Sequence, residues 1–301
     1  IAVRGAVSTG FRAPTPGQAF TSNVQTAFPS GSTVPIAIAT VTPDSVTGQY
    51  FGSRPLTPEN SVTYSGVVVL TPTYGLTLTV DYYNIAVSDR IAITSQFTVT
   101  PADQAALAAL GVSNAFDLGR VNYFTNGFET RTEGVDAVLS QRLVTGFGTF
   151  NNSLAVNYNK TEVSERTIPE AIDLQRAANI EGLTPKWRGV LSTLFSSGAF
   201  DLSARLNYFG EYTSYNAAPG TPFTEQTFGD EFSFDLELGF TFADRFKVAV
   251  GAENLFDEYP DRELRNIFPG TGAQANGRIY NDASPLSYAG GVWYVRTSAK
   301  F

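Results

Sequence analysis

The chain has 301 residues, 43% of them hydrophobic, a formal net charge of −8, and neither histidine nor cysteine. The acidic balance argues against nucleic acid as a partner. Without His or Cys there is no imidazole base or ligand, thiol nucleophile, disulfide or zinc-thiolate site, so no catalytic residue, metal site or cofactor is assigned. The longest apolar runs resemble Val67-Val68-Val69-Leu70, far short of the about 20 residues a membrane-spanning helix needs. Methionine is also absent, and the opening Ile1-Ala2-Val3-Arg4 is neither an initiator nor a signal peptide. The expectation is a piece of something longer, or a product of processing.

In chain order, Ala2 to Ser8 alternates briefly, and Thr9 to about Asn60 is rich in Pro, Gly, Thr and Ser. That stretch reads as a long loop, of a length that is usually functional. Val62 to Leu70 puts Val62, Tyr64, Gly66, Val68 and Leu70 on one face. After the turn Thr71–Gly75, Leu76 to Ile85 puts Leu76, Leu78, Val80 and Tyr82 outward and Thr77, Thr79 and Asp81 inward. The pair reads as a hairpin. Ile93 to Val121 is an excursion with one short helix: Thr100 caps it, Pro101 opens it, Asp103 favours its dipole and Gly111 ends it.

Tyr123 to Leu143 is a long strand region whose apolar face is Val135, Ala137 and Leu139. Phe150 to Tyr158 follows the turn Val144-Thr145-Gly146. Lys160 to Thr184 reads as a polar loop with a helix near Pro169 to Ala178. Trp187 to Phe195 and Phe200 to Tyr208 flank the turn Ser196-Ser197-Gly198, and Glu211 to Asp230 reads as loop.

Phe232 to Phe242 is the sharpest two-faced segment. Phe232, Phe234, Leu236, Leu238, Phe240 and Phe242 alternate with Ser233, Asp235, Glu237, Gly239 and Thr241. Its length suits a membrane strand of about 9–11 residues better than a soluble strand of about 5–6. A one-residue slip would turn Asp235 and Glu237 into the apolar medium, which fixes the register. The turn Ala243-Asp244-Arg245, the strand Phe246 to Ala252, the loop Asp257 to Ser287 and a strand ending at Phe301 complete the chain.

These are about ten strands whose connections alternate between tight turns and loops of roughly 15–50 residues. The fold class predicted is all-β: an antiparallel transmembrane β-barrel with short periplasmic turns and long extracellular loops. A soluble β-sandwich shares the alternation but not the strand length or the rhythm of connections.

Gly10-Phe11-Arg12-Ala13-Pro14-Thr15 resembles a segment of the TonB-dependent receptors of Gram-negative outer membranes. Four more segments follow in that family's order: Leu56-Thr57-Pro58-Glu59-Asn60-Ser61; Val80–Ile85 with Asp89-Arg90-Ile91; Gly127 to Asp136, ending Thr132-Glu133-Gly134-Val135-Asp136; and Asn254-Leu255-Phe256-Asp257 with Tyr259. The resemblance implies a barrel of about 22 strands with an N-terminal plug, of which residues 1–301 would supply about the last ten strands, without the plug. It implies import of a scarce nutrient (ferric siderophore, cobalamin or oligosaccharide) at the cell outer membrane, energised by TonB–ExbB–ExbD through the missing part. The expected partners are outer-membrane lipid, the missing N-terminal strands and plug, the barrel-assembly machinery and the small-molecule nutrient. The alternative is a passive porin-like channel. An outer-membrane hydrolase with a Ser–His pair cannot be assembled from this chain.

The lumen candidates are Asp81, Asp136, Arg188, Asp201, Arg205, Asp235, Glu237, Lys247 and Arg296. They suit a polar path for substrate and plug, or simply a solvated interior with cross-strand ion pairs. The substrate-loop candidates are the aromatics Phe20, Phe28, Tyr50, Phe51, Tyr123, Phe124, Tyr212, Tyr215 and Phe268, which could stack on sugar or aryl rings or pack the loops. Asp257, Glu258, Asp261 and Glu263 do not have EF-hand spacing and read as a solvated acidic loop. Asp235 and Glu237 read as neighbouring lumen positions, not a glycosidase pair. Trp293, Val295 and Phe301 resemble the terminal signal read by the barrel-assembly machinery.

Overall fold

The computed structural model describes residues 1–27, 35–169, 172–216, 224–243, 245–264 and 279–300. Its strands, in order, are β1 (Ala2–Arg12), β2 (Asn23–Ala27), β3 (Ile36–Val41), β4 (Glu59–Thr73), β5 (Leu76–Ile93), β6 (Phe97–Thr98), β7 (Leu118–Thr145), β8 (Gly148–Glu165), β9 (Trp187–Ser197), β10 (Phe200–Phe209), β11 (Tyr212–Asn216), β12 (Thr224–Phe228), β13 (Glu231–Phe242), β14 (Phe246–Glu253) and β15 (Val292–Ala299). The helices are α1 (Pro16–Phe20), α2 (Val46–Tyr50), α3 (Pro101–Ala109) and α4 (Leu174–Gly182).

Ten strands form one antiparallel path, β1-β4-β5-β7-β8-β9-β10-β13-β14-β15. Short turns join β4 to β5, β7 to β8, β9 to β10 and β13 to β14, and every other connection is long. The rhythm predicted from turn residues is thus the rhythm of the sheet.

The register separates two faces. Leu202 lies opposite Leu238 and Phe195, and Ser203 opposite Glu237 and Leu194. The outward face is closed at both ends by aromatics. Near the long loops Tyr158 meets Trp187 at 4.8 Å and Tyr208 meets Phe232 at 5.0 Å. Near the turns Phe150 meets Phe195 at 4.5 Å and Phe200 meets Phe240 at 4.9 Å. From Phe200 to Tyr208 the strand has the length of a tilted membrane-spanning strand, about 9–11 residues, and it carries the aromatic borders of outer-membrane barrels at both ends. Phe232, Leu238, Phe240 and Val250 all stand exposed on this face. Lipid is the solvent that suits such a surface.

Beyond the Tyr158–Trp187 border the outward face turns charged, with Arg131 opposite Glu162 and Glu133 opposite Lys160. That change marks where strand leaves bilayer. β7 runs 28 residues, and its projecting half carries a shelf. There β3 pairs with it in parallel, β2 pairs with β3, and β6 pairs antiparallel. Ala39, Val99, Leu107, Ala115, Leu118 and Val121 form the core beneath the shelf.

Several loop readings are corrected by long-range pairing. Thr9–Asn60 is not all loop: β1 continues to Arg12, held by β4 as far as Glu59, and the rest contains α1, β2, β3 and α2. Glu211–Asp230 contains the hairpin β11–β12. β8 extends to Glu165 because β7 offers partners to Glu129. The helix expected near Pro169–Ala178 is α4, later in the chain, because Asp173 supplies the cap by accepting from the Arg176 amide. The α3 helix has its predicted boundaries, with a reciprocal capping box between Thr100 and Asp103. The expected turn residue Asp244 lies outside the described residues.

Candidate functional site: a polar wall beneath an aromatic shelf

The nine charged candidates share one face. Asp81 pairs across the ladder with Asp136, Asp136 with Asn157, and Asn157 with Arg188. The Asn157 amide donates to Asp136 at 2.6 Å, and the Asn159 amide donates to the Tyr83 hydroxyl at 2.8 Å. Further along, Lys247 pairs with Asp201 at 2.7 Å and Arg296 with Glu237 at 2.5 Å. Tyr294 also donates to Glu237, and Asn207 and the Asn254 amide donate to Asp235. Arg205 lies opposite Asp235. At the turn end a recess of about 450 Å³ is lined mainly by inward-row residues, Thr77, Ser140, Arg142, Asn151, Ser153 and Ser192, and also touches Gly75 and the outward-row residues Gln141 and Asn152. This is a polar, half-solvated wall.

The recurring sequence segments are packing partners of one another. Arg12 donates from Nε and Nη2 to the two carboxylate oxygens of Glu59, at 2.7 and 2.6 Å, and Glu59 also accepts from the Ile91 amide at 2.8 Å. Three segments distant in sequence thus meet at one carboxylate. Gly134 leaves room for Tyr83, whose hydroxyl would stand 2.3 Å from a Cβ at that position. Asn254, at φ 51°, donates to the Glu258 carbonyl and accepts from the Glu258 amide. Asn is among the few residues at ease with that backbone.

On the loop side the aromatics divide into open and packed. Phe20 on α1 is 71% exposed and Tyr50 on α2 38%. Tyr50 donates to Asp103 at 2.8 Å and meets the Phe51 ring edge-on at 5.2 Å. Phe51 stacks on Phe97, and Phe97 on Tyr123 at 5.6 Å and 7°. Tyr123 is 1% exposed and donates to the Phe51 carbonyl at 2.7 Å. Tyr123 is a pillar of the shelf. Phe124 follows it, half-buried. Tyr212 is buried against Phe228 at 4.8 Å, its hydroxyl without a hydrogen bond among the described residues; burial pushes this phenol up. The Tyr215 backbone is clasped by Gln175 and Asn179 of α4. Phe28, Phe268 and Phe301 lie outside the described residues. Trp293 and Val295 stand exposed on the outward face of β15. Sequence reasoning missed Phe97 and Phe228, whose only signal was alternation in two- to five-residue strands.

The acidic run is not solvated throughout. Glu263 is 5% exposed and accepts from Asn281 at 2.9 Å, while Asp257 accepts from the Gly291 amide and Asp261 from the Gly229 amide. The loop after β14 folds back to supply Asn281 and Gly291, and the β12–β13 link supplies the Gly229 amide. Among the described residues no group of acidic side chains is arranged to hold a metal ion.

The Asp103 carboxyl is held below the usual carboxylate range, chiefly by the Thr100 hydroxyl, then by the Thr100 amide and Tyr50. Its cap is therefore complete above the unfolded carboxylate pKa of ~3.9 and is lost as pH falls through the lower folded value. Protection factors of the α3 amides, taken relative to intrinsic exchange at the same pH, should fall below about pH 4, and Asp103→Asn should abolish that dependence. Unchanged acid sensitivity in the variant would place the titrating group elsewhere.

The family described as TonB dependent receptor-like, beta-barrel matches residues 1–255. The chain belongs to that family. No curated protein matches it. Solved structures share the fold at low identity. The copper transporter OprC aligns with a TM-score of 0.58 and 14% identity, over 99% of this chain and 37% of that one. The siderophore receptor PirA from Acinetobacter baumannii gives 0.57 and 15%, over 99% and 39%. A mutant ferric enterobactin receptor, PfeA, from Pseudomonas aeruginosa gives 0.59 and 13%, over 99% and 38%. The chain thus spans under two fifths of the length of these receptors.

Proposed function

We propose that this chain forms part of the pore wall and the substrate-capturing outer loops of an active importer in the cell outer membrane. Family membership over residues 1–255 carries the reading, supported by the lipid-suited face and its aromatic borders. On this reading the charged wall lines a lumen of about 22 strands, closed by a plug and by strands preceding residue 1. TonB–ExbB–ExbD acts through those parts. The cargo is a scarce nutrient: a ferric siderophore, cobalamin or an oligosaccharide. Trp293, Val295 and Phe301 present the terminal strand to the barrel-assembly machinery.

Uptake of these compounds by cells carrying the intact receptor tests the proposal. Uptake should stop when the proton gradient of the inner membrane is collapsed; continued uptake would sink active import in favour of a passive pore. Phe20→Ala and Tyr50→Ala should each weaken cargo binding by roughly five- to thirtyfold with folding unchanged. Equal binding by both variants would remove these two rings from the site.

A further inference from the structure

One hydrogen-bonded polar group interrupts the outward face. Gln141, Asn152 and Thr193 lie side by side across β7, β8 and β9. The Asn152 amide donates to Gln141 Oε1 at 3.2 Å, and Thr193 donates to Asn152 Oδ1 at 3.0 Å. On one side runs the leucine row Leu139, Leu154 and Leu191; on the other run Leu143, Phe150 and Phe195. The trio is thus the first outward row inside the aromatic border at the turn end. In hydrocarbon an amide N–H without an acceptor is strongly disfavoured.

The hydrogen-bond inventory says what would satisfy it. Both amide oxygens already accept within the trio. Both Gln141 side-chain N–H bonds and one of Asn152 have no acceptor among the described residues. The surface therefore offers donors to a neighbour that need only accept. A phospholipid ester carbonyl is such a group: it accepts and cannot donate, and it lies just inside the headgroups, where the apolar band meets the aromatic border.

We propose that Gln141 and Asn152 form a seat for the acyl-ester carbonyls of a phospholipid in the periplasmic leaflet. The inference rests on the outer-membrane reading above, with the short turns on the periplasmic side. It gives the trio a specific ligand chemistry, distinct from the generic solvation of the surrounding leucines.

The test compares the intact receptor in bilayers of ester-linked and of ether-linked phosphatidylcholine, which lacks the carbonyls. The folding equilibrium constant should be roughly five- to thirtyfold larger in the ester lipid, and the double variant Gln141→Leu, Asn152→Leu should show no such preference. Equal stability of the wild type in both lipids would overturn the seat. Failure to insert in either would overturn the membrane reading itself. Independently, solid-state NMR should show contact between the nitrogen-15 of the Gln141 side chain and carbon-13 at the lipid ester. Contact to a second copy of the protein instead would overturn the lipid assignment.

Discussion

Leu238→Arg should cripple membrane assembly of the intact receptor, while Ser203→Arg should be tolerated. The two positions lie one row apart on neighbouring strands: Leu238 faces Leu202 on the apolar side, and Ser203 faces Glu237 on the polar side. Leu238 is 54% exposed, so the substitution is not resisted by packing. It is resisted by the solvent, since a cation at mid-bilayer costs about 2–4 kcal/mol. At Ser203 the same charge meets a carboxylate and water. Yield of heat-resistant folded protein in the outer membrane is the readout, and equal yields would overturn the assignment of faces. Ser233, also on the polar face, is a poorer control position, being 8% exposed and accepting from Asn207.

Tyr123→Ala should unfold the outer shelf and leave the ten-strand sheet standing. Its ring fills the space between Phe97 and the α2 segment, and its hydroxyl anchors the Phe51 carbonyl. Truncating a fully buried aromatic costs about 3–5 kcal/mol, more than a shelf with a core of six small and aliphatic buried residues is built to absorb. Hydrogen-exchange protection should collapse in β2, β3 and α3 while β8, β9 and β10 keep theirs. Loss of cargo binding would accompany it, through disorder around Tyr50, without Tyr123 ever touching cargo. Full protection across β2 and β3 would show that the shelf stands without this pillar.

These expectations separate what could be read along the chain from what could not. Period-two alternation gave the ten spanning strands, and Pro-Thr-Tyr-Gly and Ser-Ser-Gly gave the tight turns, because both signals are local. The α3 helix was legible for the same reason: cap, proline, acid and glycine lie within a dozen residues. The division of the loop aromatics was not legible. Nothing local distinguishes Tyr123, which is 1% exposed, from Phe20, which is 71% exposed. A stacking ring 26 residues away, Phe97, and a carbonyl acceptor 72 residues away, that of Phe51, decide it.

The acidic loop shows the same limit. Exposure was the natural expectation for Asp257, Asp261 and Glu263; it holds for the two aspartates, whereas Glu263 is buried. Their partners, Gly291, Gly229 and Asn281, come from chain that returns from elsewhere. Once a loop supplies donors, a carboxylate can be buried without an unpaired charge.

The sequence by itself determined the two faces, the rhythm of turns and loops, and the absence of His- and Cys-based chemistry. Each follows from side-chain type repeated at a fixed local period. Only the tertiary structure decided that Arg12, Glu59 and Ile91 converge, that the shelf grows from the projecting half of β7, and that Gln141, Asn152 and Thr193 align as one polar row. Those are matters of inter-strand register, set by pairing across tens of residues.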